Sequence, residues 1–387
     1  MSESLKVLVV DDSVTYRQIL SSVVNSIKGA ELIGTAPNGK ICLAKIELTK
    51  PDIVLLDVDM PVMNGLATLN IIKKDYPQIE VIMISGINSE TASRTINALR
   101  AGALDFISKP KTTSIEDSVS ELRSLLVTLF SIATSRKYTR RIQQNSNLSE
   151  RIIEKNEKPF QTRIQEEPRL LSTPVESRDL SSSASLFKPQ IIRRPARVDV
   201  VAIGVSTGGP NALMEIIPKL EAPFPVPILT VQHMPPLFTA SLAEQISKMS
   251  AINVVEGADD QEIESGIMYI APGGHHMLVR AGKDGKKRLG LSDTPPVNSC
   301  RPAVDVLFRS IALNYGANVL SVILTGMGND GLAGVIEIRR KGGYSLVQDE
   351  KSSLIWGMPG AVSQANEADE VIGLANIAQR IMQLVRK

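Results

Sequence analysis

The chain has 387 residues, more than one ordinary domain, and 43% of them are hydrophobic and 22% are charged, as in soluble globular proteins. Aromatic residues make up only 4%, which argues against stacking surfaces for single-stranded nucleic acid, and no apolar run approaches the ~18–20 residues that membrane insertion needs. Two cysteines provide neither a disulfide framework nor a metal cluster, so we expect a cytoplasmic protein.

The net charge of +2 is unevenly distributed along the chain. Residues 1–136 carry −1, residues 137–196 carry +5 and residues 197–387 carry −2. The middle stretch has no glycine, five prolines and few large apolar residues, so it cannot bury enough apolar surface to offset its chain entropy. We therefore expect two domains, 1–136 and 197–387, joined by a long polar linker that is helical near 140–157. Interspersed acidic residues favour a linker over a basic arm that binds nucleic acid.

The first domain alternates short apolar runs with amphipathic stretches. The predicted strands are Lys6–Val10, Glu31–Ala36, Ile53–Asp57, Glu80–Ser85 and Asp105–Ile107. Helical patterns lie between them, and a last helix is predicted to begin near Ser114. Strand–helix alternation predicts an α/β domain with a doubly wound parallel sheet.

Polar residues follow these strands, at the edge where ligands bind in such sheets. Asp11 and Asp12 follow the first strand, Asp57 ends the third, Ser85 ends the fourth and Lys109 follows the fifth. Converging carboxylates with no His or Cys nearby suit Mg²⁺, and a lysine with a hydroxyl suits a phosphoryl group. Each residue alone is equally compatible with a helix cap or a solvated side chain, but their order at successive strand ends favours a site.

Residues 5–130 resemble the response-regulator receiver domain, which has a flavodoxin-like fold. The resemblance rests on VLVVDDS (7–13), LLDVDMPVMNG (55–65), MISG (83–86) and ALDFISKP (103–110). It implies that Asp57 accepts a phosphoryl group from a histidine kinase and that Mg²⁺ is the cofactor. For the metal, it further implies that Asp12 and Asp57 bind Mg²⁺, that Asp11 acts through water and that Asp59 offers its backbone carbonyl. For the phosphoryl group, it implies that Ser85 and Lys109 hold the oxygens. It also implies that Phe106 is the switching aromatic residue and that the Lys109–Pro110 bond is cis.

The second domain contains 20 of the 26 glycines, clustered after apolar strands. The predicted strands are Val198–Val205, Pro227–Gln232, Ile267–Ala271, Val319–Leu324 and Tyr344–Val347. This pattern again predicts a parallel α/β sheet. Neither a P-loop nor a dinucleotide-binding fingerprint is present, so acyl-transfer chemistry fits the glycine-rich turns better.

A serine, a histidine and an aspartate, the residue types of a serine hydrolase triad, follow three of these strands. Ser206 precedes two glycines and Pro210 at a helix start, where amides stabilise negative charge, although a helix-capping role explains Ser206 equally well. His233 ends the next strand, and Asp330 follows a later one, with Asp349 as a rival carboxylate. His275 and His276 are expected in a surface loop or a substrate cleft. Spacing alone leaves this Ser–His–Asp triad open, because no G-x-S-x-G elbow surrounds Ser206.

Residues 197–387 resemble the catalytic domain of the chemotaxis protein-glutamate methylesterase (CheB) family, a Rossmann-like domain. The resemblance rests on GVSTGGP (204–210), QHMP (232–235), APGGHHM (271–277), RPAVDVLF (301–308), LTGMGNDG (324–331) and MPGAV (358–362). It implies a catalytic triad of Ser206, His233 and Asp330, support of His233 by Thr207, and an oxyanion hole that includes the Met327 amide. No cofactor is implied for the esterase.

The implied function is a phosphorylation-activated hydrolase of chemotaxis adaptation. It would remove methyl esters from glutamates in the cytoplasmic domains of chemoreceptors, release methanol and also deamidate receptor glutamines. The alternatives are nucleotide-dependent transfer through the GVSTGGP loop, an inactive adaptor and a DNA-binding regulator. The last is disfavoured because the second domain carries −2 and offers no basic recognition helix.

Overall fold

The computed structural model describes residues 4–109, 115–156 and 195–386. The chain divides into two compact units, of which one joins Met1–Ser135 to Arg193–Lys387 and the other is Arg136–Ile192. Both predicted domains belong to the first unit. Of the predicted linker, the structure describes a helix that runs to Asn156 and the two residues from Pro195 onward.

The first domain is a five-stranded parallel sheet with helices between the strands. Its strands are β1 (Leu5–Val10), β2 (Ala30–Ala36), β3 (Ile53–Asp57), β4 (Glu80–Ser85) and β5 (Asp105–Ser108). Its helices are α1 (Val14–Ser26), α2 (Gly39–Thr49), α3 (Gly65–Asp75), α4 (Ser89–Arg100) and α5 (Ile115–Asn156). The strand order is β2-β1-β3-β4-β5, and every strand pair is parallel.

Local sequence explains where these helices begin. The side chains of Asn38, Asn64 and Asn88 cap α2, α3 and α4 by accepting backbone N–H groups at 3.0, 2.9 and 2.8 Å. Strands β3 and β4 are buried along their whole length, because helices cover both faces of a parallel sheet.

The second domain has a seven-stranded parallel sheet in the order β14-β13-β12-β6-β7-β9-β8. Its strands are β6 (Val200–Val205), β7 (Ile228–Gln232), β8 (Asn253–Glu256), β9 (Ile267–Ile270), β12 (Val319–Ile323), β13 (Tyr344–Gln348) and β14 (Glu370–Ile372). A separate antiparallel hairpin pairs β10 (His276–Ala281) with β11 (Lys287–Ser292). The helices are α6 (Gly209–Ile216), α7 (Phe238–Met249), α8 (Val304–Tyr315), α9 (Leu332–Arg340), α10 (Met358–Gln364) and α11 (Leu374–Val385), with a 3₁₀ turn at Ile217–Lys219.

The two parallel sheets confirm the predicted α/β class. In the second sheet, β6 lies between β7 on one side and β12 on the other. The chain therefore leaves the carboxyl ends of three neighbouring strands at one edge, which is where a doubly wound sheet places its ligand site.

The two domains pack against each other around the first residues of β5. Phe106 stacks on Phe238 at the start of α7, with ring centroids 4.8 Å apart. The Asn211 amide donates to the carbonyl of Ala103 at 3.4 Å. The buried carboxylate of Asp105 accepts the N–H of Gly208 at 3.1 Å. The last of these contacts joins β5 to the loop that carries Ser206.

Candidate functional site

The structure brings the predicted carboxylates of the first domain together. Ligand oxygens of Asp11, Asp12 and Asp57 all lie within 4.8 Å of one another. The Lys109 ammonium bridges two of these carboxylates, at 2.8 Å from Asp11 and 3.0 Å from Asp57. A donor set of oxygen atoms alone, partly open to solvent at Asp12, fits Mg²⁺.

The pocket strongly disfavours charge on Asp57 in the absence of a cation. Burial, reinforced by the charges of Asp11 and Asp12, raises the pKa of Asp57 to about 7, although the ion pair with Lys109 opposes this shift. A divalent cation beside the carboxylate would favour its ionised form. The aspartate and the cation site are therefore electrostatically coupled.

The remaining predicted residues of this pocket have other partners in the structure. The Ser85 hydroxyl lies 2.7 Å from that of Thr95 and donates to the Gly86 carbonyl at 3.1 Å. The Asp59 carboxylate accepts from Thr91 at 2.7 Å and pairs with Arg94. The roles of Ser85 and of the Asp59 carbonyl stay predictions. Pro110, and with it the predicted cis bond, lies outside the described residues.

In the second domain, Ser206 and His233 follow neighbouring strands. Val205 is in register with Gln232 across β6 and β7, so Ser206 and His233 directly follow a pair of facing residues. The His233 N–H donates to the Val205 carbonyl at 3.2 Å, and the Gln232 amide donates to the Ser206 carbonyl at 2.9 Å. No hydrogen bond of the Ser206 hydroxyl occurs within the described residues.

Asp330 binds Nε2 of the His233 imidazole. Nε2 of His233 lies 2.8 Å from Asp330 Oδ2, and the two side chains are 12% and 3% exposed. Asp349, the rival carboxylate, instead accepts hydrogen bonds from Ser352. The geometry therefore selects Asp330 as the partner of His233.

Asp330 is held as a carboxylate by a set of hydrogen-bond donors. It accepts backbone N–H groups of Val304 at 2.6 Å, of Asp305 at 3.1 Å and of Gly331 at 3.0 Å, and the amide of Asn298 at 2.8 Å. Burial by itself would raise the pKa of Asp330, but the hydrogen bonds from His233, Val304 and Asn298 hold that pKa below its usual value.

Two residues in this network were not predicted. Asp305 is buried and accepts the N–H groups of Gly331 and Gly334 at 3.0 and 2.7 Å. Asn298 donates to both Asp305 and Asp330. Asp305 is part of the RPAVDVLF segment, which gave a signal, whereas nothing in the sequence singles out Asn298.

The glycine-rich loop after β12 lies against Ser206. A Cβ atom at Gly326 would come within 2.7 Å of the Ser206 Cβ, so only glycine fits there. The Met327 N–H has no acceptor among the described residues, which suits an oxyanion donor. Thr207 offers its carbonyl to the Thr325 hydroxyl at 3.0 Å; a hydrogen bond from its side chain to His233 is not seen in the described parts of the chain, and its support of His233 stays a prediction.

The other two histidines have separate partners. His276 begins β10, is fully buried, and accepts the Ala303 N–H at Nδ1 while its Nε2 lies 3.2 Å from the Pro295 carbonyl. His275 is exposed and pairs with Asp293 at 2.5 Å. Of the two predicted positions, a surface loop or a substrate cleft, the surface loop agrees with the exposed His275 but not with His276, which is buried at the start of β10.

A half-buried thiol completes the surroundings of His233. Cys300 Sγ lies 3.5 Å from Nδ1 of this histidine. Burial disfavours the charged imidazole, but the hydrogen bond to the Asp330 carboxylate outweighs it, and the pKa of His233 is raised to about 9.

Comparison with known proteins agrees with this geometry. The CheB methylesterase family profile matches residues 201–381, and the response regulator receiver domain profile matches residues 7–120. A protein-glutamate methylesterase/protein-glutamine glutaminase of Trichodesmium erythraeum is 42% identical over 382 residues, covering 98% of this chain and 99% of the relative. The chain belongs to the CheB methylesterase family. A Desulfotalea psychrophila protein of the same name is 41% identical over 392 residues, covering 99% of each.

Solved structures of family members match each CheB domain separately. The Thermotoga maritima CheB methylesterase catalytic domain is 40% identical and covers 49% of this chain and 99% of that one, with a TM-score of 0.48. The response regulator domain of Thermotoga maritima CheB is 36% identical and covers 31% and 91%, with a TM-score of 0.29. The relatives give no support to nucleotide-dependent transfer or to an inactive adaptor. Each helix among the described residues is too short or too polar to traverse a bilayer.

Proposed function

We propose that this CheB family member is a phosphorylation-activated hydrolase that removes methyl esters from glutamates of chemoreceptors and deamidates receptor glutamines. The observation that carries the proposal is the His233–Asp330 pair beside Ser206, at the carboxyl ends of neighbouring strands. Residues 1–136 form the receiver domain, 137–196 the linker and 197–387 the catalytic domain. In general terms, a receiver domain paired with a methylesterase domain implies a phosphodonor kinase and a chemoreceptor substrate. We propose that the kinase is the chemotaxis histidine kinase and that the substrate is the cytoplasmic domain of the receptors. The proposed location of the enzyme is therefore the cytoplasm.

Ser206 is the proposed nucleophile. Because Asp330 occupies Nε2 of His233, Nδ1 is the nitrogen that takes the serine proton. Attack on the ester carbonyl forms a tetrahedral oxyanion, and the proton then passes from His233 to the departing methanol. Water hydrolyses the acyl-enzyme by the same route, and a glutamine amide passes through the same oxyanion with ammonia as the leaving group.

The oxyanion is stabilised by backbone amides of the loops around Ser206. The Met327 N–H lies in the loop packed against Ser206 and has no acceptor among the described residues. A preorganised donor of this kind is typically worth a few kcal/mol in the transition state. Asp330 remains ionised and fixes the imidazole tautomer.

Asp57 is the proposed phosphoryl acceptor of the receiver domain. Asp12 and Asp57 would hold Mg²⁺ directly, Asp11 through water and Asp59 through its carbonyl; the bound cation supplies charge neutralisation for the incoming phosphoryl group. Lys109, already 3.0 Å from Asp57, and Ser85 would then bind the phosphoryl oxygens.

The receiver domain is proposed to restrain the esterase in the resting state. Asp105 accepts the N–H of Gly208, two residues after the nucleophile, and the adjacent Phe106 stacks on Phe238. Phosphorylation adds about −1.5 to −2 charge at Asp57, which draws Ser85 and Lys109 toward it. The resulting shift at β5 would favour an arrangement in which the nucleophile loop is released.

Methanol release from methylated receptor membranes tests the proposed activity. Purified protein should release methanol, and a small-molecule phosphodonor should accelerate it. Ser206→Ala should lower the rate by several orders of magnitude, with Ser241→Ala, a serine on α7, as a matched control. Near-normal release by Ser206→Ala would refute the nucleophile.

A further inference from the structure

The His233 imidazole has hydrogen-bond partners on both nitrogens, and they fix its tautomer. Asp330 is held as a carboxylate and can only accept, so Nε2 of His233 carries the hydrogen. In the neutral ring Nδ1 is then an acceptor. Cys300 Sγ lies 3.5 Å from that nitrogen, so the thiol is the donor.

The backbone around Cys300 is constrained to present its sulfur there. Val297 and Cys300 exchange two backbone hydrogen bonds, at 2.9 and 3.1 Å. Between them, Asn298 and Ser299 adopt left-handed φ values of 52° and 62°. Such conformations cost free energy, so they persist only where surrounding contacts compensate for that cost. The Asn298 amide supplies such contacts by binding Asp330 and Asp305. The thiol is therefore anchored to the same carboxylate as the imidazole.

The thiol lies where the serine proton must go. Ser206 can use His233 as a base only through Nδ1, because Asp330 occupies Nε2. The Cys300 thiol and the Ser206 hydroxyl therefore compete for one lone pair, and the resting enzyme has the thiol in place.

We propose that Cys300 is a positioning residue of the esterase, which holds Nδ1 of His233 until the Ser206 hydroxyl replaces it, and whose covalent modification stops the enzyme. This role rests on the proposed function. Among the described residues, Asp330 and Cys300 are the titratable groups that bear on His233, and Asp330 raises its pKa against the effect of burial. A thiol that donates to Nδ1 stabilises the neutral imidazole, so removing the thiol should make the imidazole a stronger base.

Alkylation by iodoacetamide uses the same contact. The sulfur forms a bond to the reagent's methylene carbon, iodide leaves, and the thiol proton passes to Nδ1 of His233. The attached acetamide group then fills the space beside Nδ1 that the Ser206 hydroxyl needs. Cys42, the other cysteine, is completely buried and provides an internal control.

The test combines labelling with pH profiles on the full-length chain. In native protein, iodoacetamide should label Cys300 alone by mass spectrometry, and methanol release should fall in proportion. After the same treatment, Cys42→Ser should lose activity as the wild type does, whereas Cys300→Ser should show no loss relative to its own untreated rate. Labelled wild type that remains active would overturn the proposal.

The pH dependence separates positioning from simple steric blockage. Cys300→Ala should move the acidic limb of the kcat/KM profile to higher pH by about 0.5–1 unit, the size expected for one lost hydrogen bond to the neutral imidazole, and Cys300→Ser should restore most of the wild-type profile. Identical profiles for wild type and Cys300→Ala would overturn the proposal. An NMR titration of His233 in both proteins gives the same comparison without activity, so an inactive wild type would refute the esterase function and still leave the contact tested.

Discussion

Asp330 accepts hydrogen bonds from five groups: the His233 ring, the Asn298 amide and the N–H groups of Val304, Asp305 and Gly331. A buried carboxylate needs this many donors because burial alone would favour its neutral form. The network matters for catalysis, since a protonated Asp330 would no longer fix the His233 tautomer.

Asn298→Ala tests this network at its least predictable residue. The substitution removes one donor from Asp330 and one from Asp305. We expect kcat to fall about tenfold, equivalent to about 1.4 kcal/mol, with little change in KM. Asn314→Ala is the control. Among the described residues, the Asn314 amide, near the end of α8, donates to the carbonyls of Val279 in β10 and Ser310 in α8. Equal effects of the two substitutions on kcat would show that Asn298 does not act through Asp330.

The raised pKa of Asp57 makes a prediction about stability. The pKa of the Asp57 carboxyl rises from its ordinary value of 3.8 in the unfolded chain to about 7 in the folded state. A raised pKa means that the folded state binds the extra proton, so this group's contribution to stability is lost as pH rises from about 4 to about 7. Asp57→Asn removes that loss. Without divalent cations, its stability advantage over wild type should grow by about 1–4 kcal/mol between pH 4 and pH 8.

Hydrogen exchange of the β1 and β3 amides measures this advantage locally, which avoids assuming that the whole chain unfolds in one step. Added Mg²⁺ should shrink the difference by stabilising the ionised wild type. An advantage independent of pH would mean that the Asp57 carboxylate is already ionised in the folded state at low pH.

At the scale of elements, the strands could be predicted and the details of the sites could not. Apolar runs ending in Asp57, Ser85 and Gln232 marked strand ends to within a residue, because a strand buried on both faces is apolar throughout. The β10–β11 hairpin was missed because its sequence lacks a strong alternating pattern. The contact of Cys300 with His233 depends on a turn whose left-handed residues are neither glycine nor next to one.

The backbone N–H of Gly208, which immediately precedes helix α6 and lies two residues after Ser206, is occupied by the receiver domain. Gly208, in a left-handed conformation with φ 75°, donates to Asp105, whose burial raises its pKa to about 6. Asp105→Ala should weaken the hold of the receiver on this loop and raise basal methanol release several-fold without a phosphodonor. Asp105→Asn, which keeps an acceptor oxygen, should raise it less. Unchanged basal release in Asp105→Ala would separate this hydrogen bond from regulation.

At the scale of the molecule, the two sheets are joined by the element that is expected to move. Strand β5 begins with Asp105 and Phe106 at the face toward the esterase, and Lys109, which pairs with Asp57, directly follows its last residue. A shift of Lys109 toward a phosphoryl group is therefore transmitted over a few residues of one strand. The coupling needs no long pathway through either core.

The stack of Phe106 on Phe238 gives the last prediction. If the stack favours the restrained arrangement, Phe238→Ala should raise basal methanol release. It should also reduce the ratio of stimulated to basal activity, because more of the enzyme is already in the active arrangement before phosphorylation shifts the equilibrium. Wild type should respond at least tenfold to a small phosphodonor with Mg²⁺, and Asp57→Asn should not respond. Phe224→Ala, which also removes a buried phenylalanine of the esterase domain, controls for general loosening of the core. A Phe238→Ala enzyme with wild-type basal rate and a full response would mean that the stack only fills space, and that the Asp105 contact alone links the receiver to the nucleophile loop.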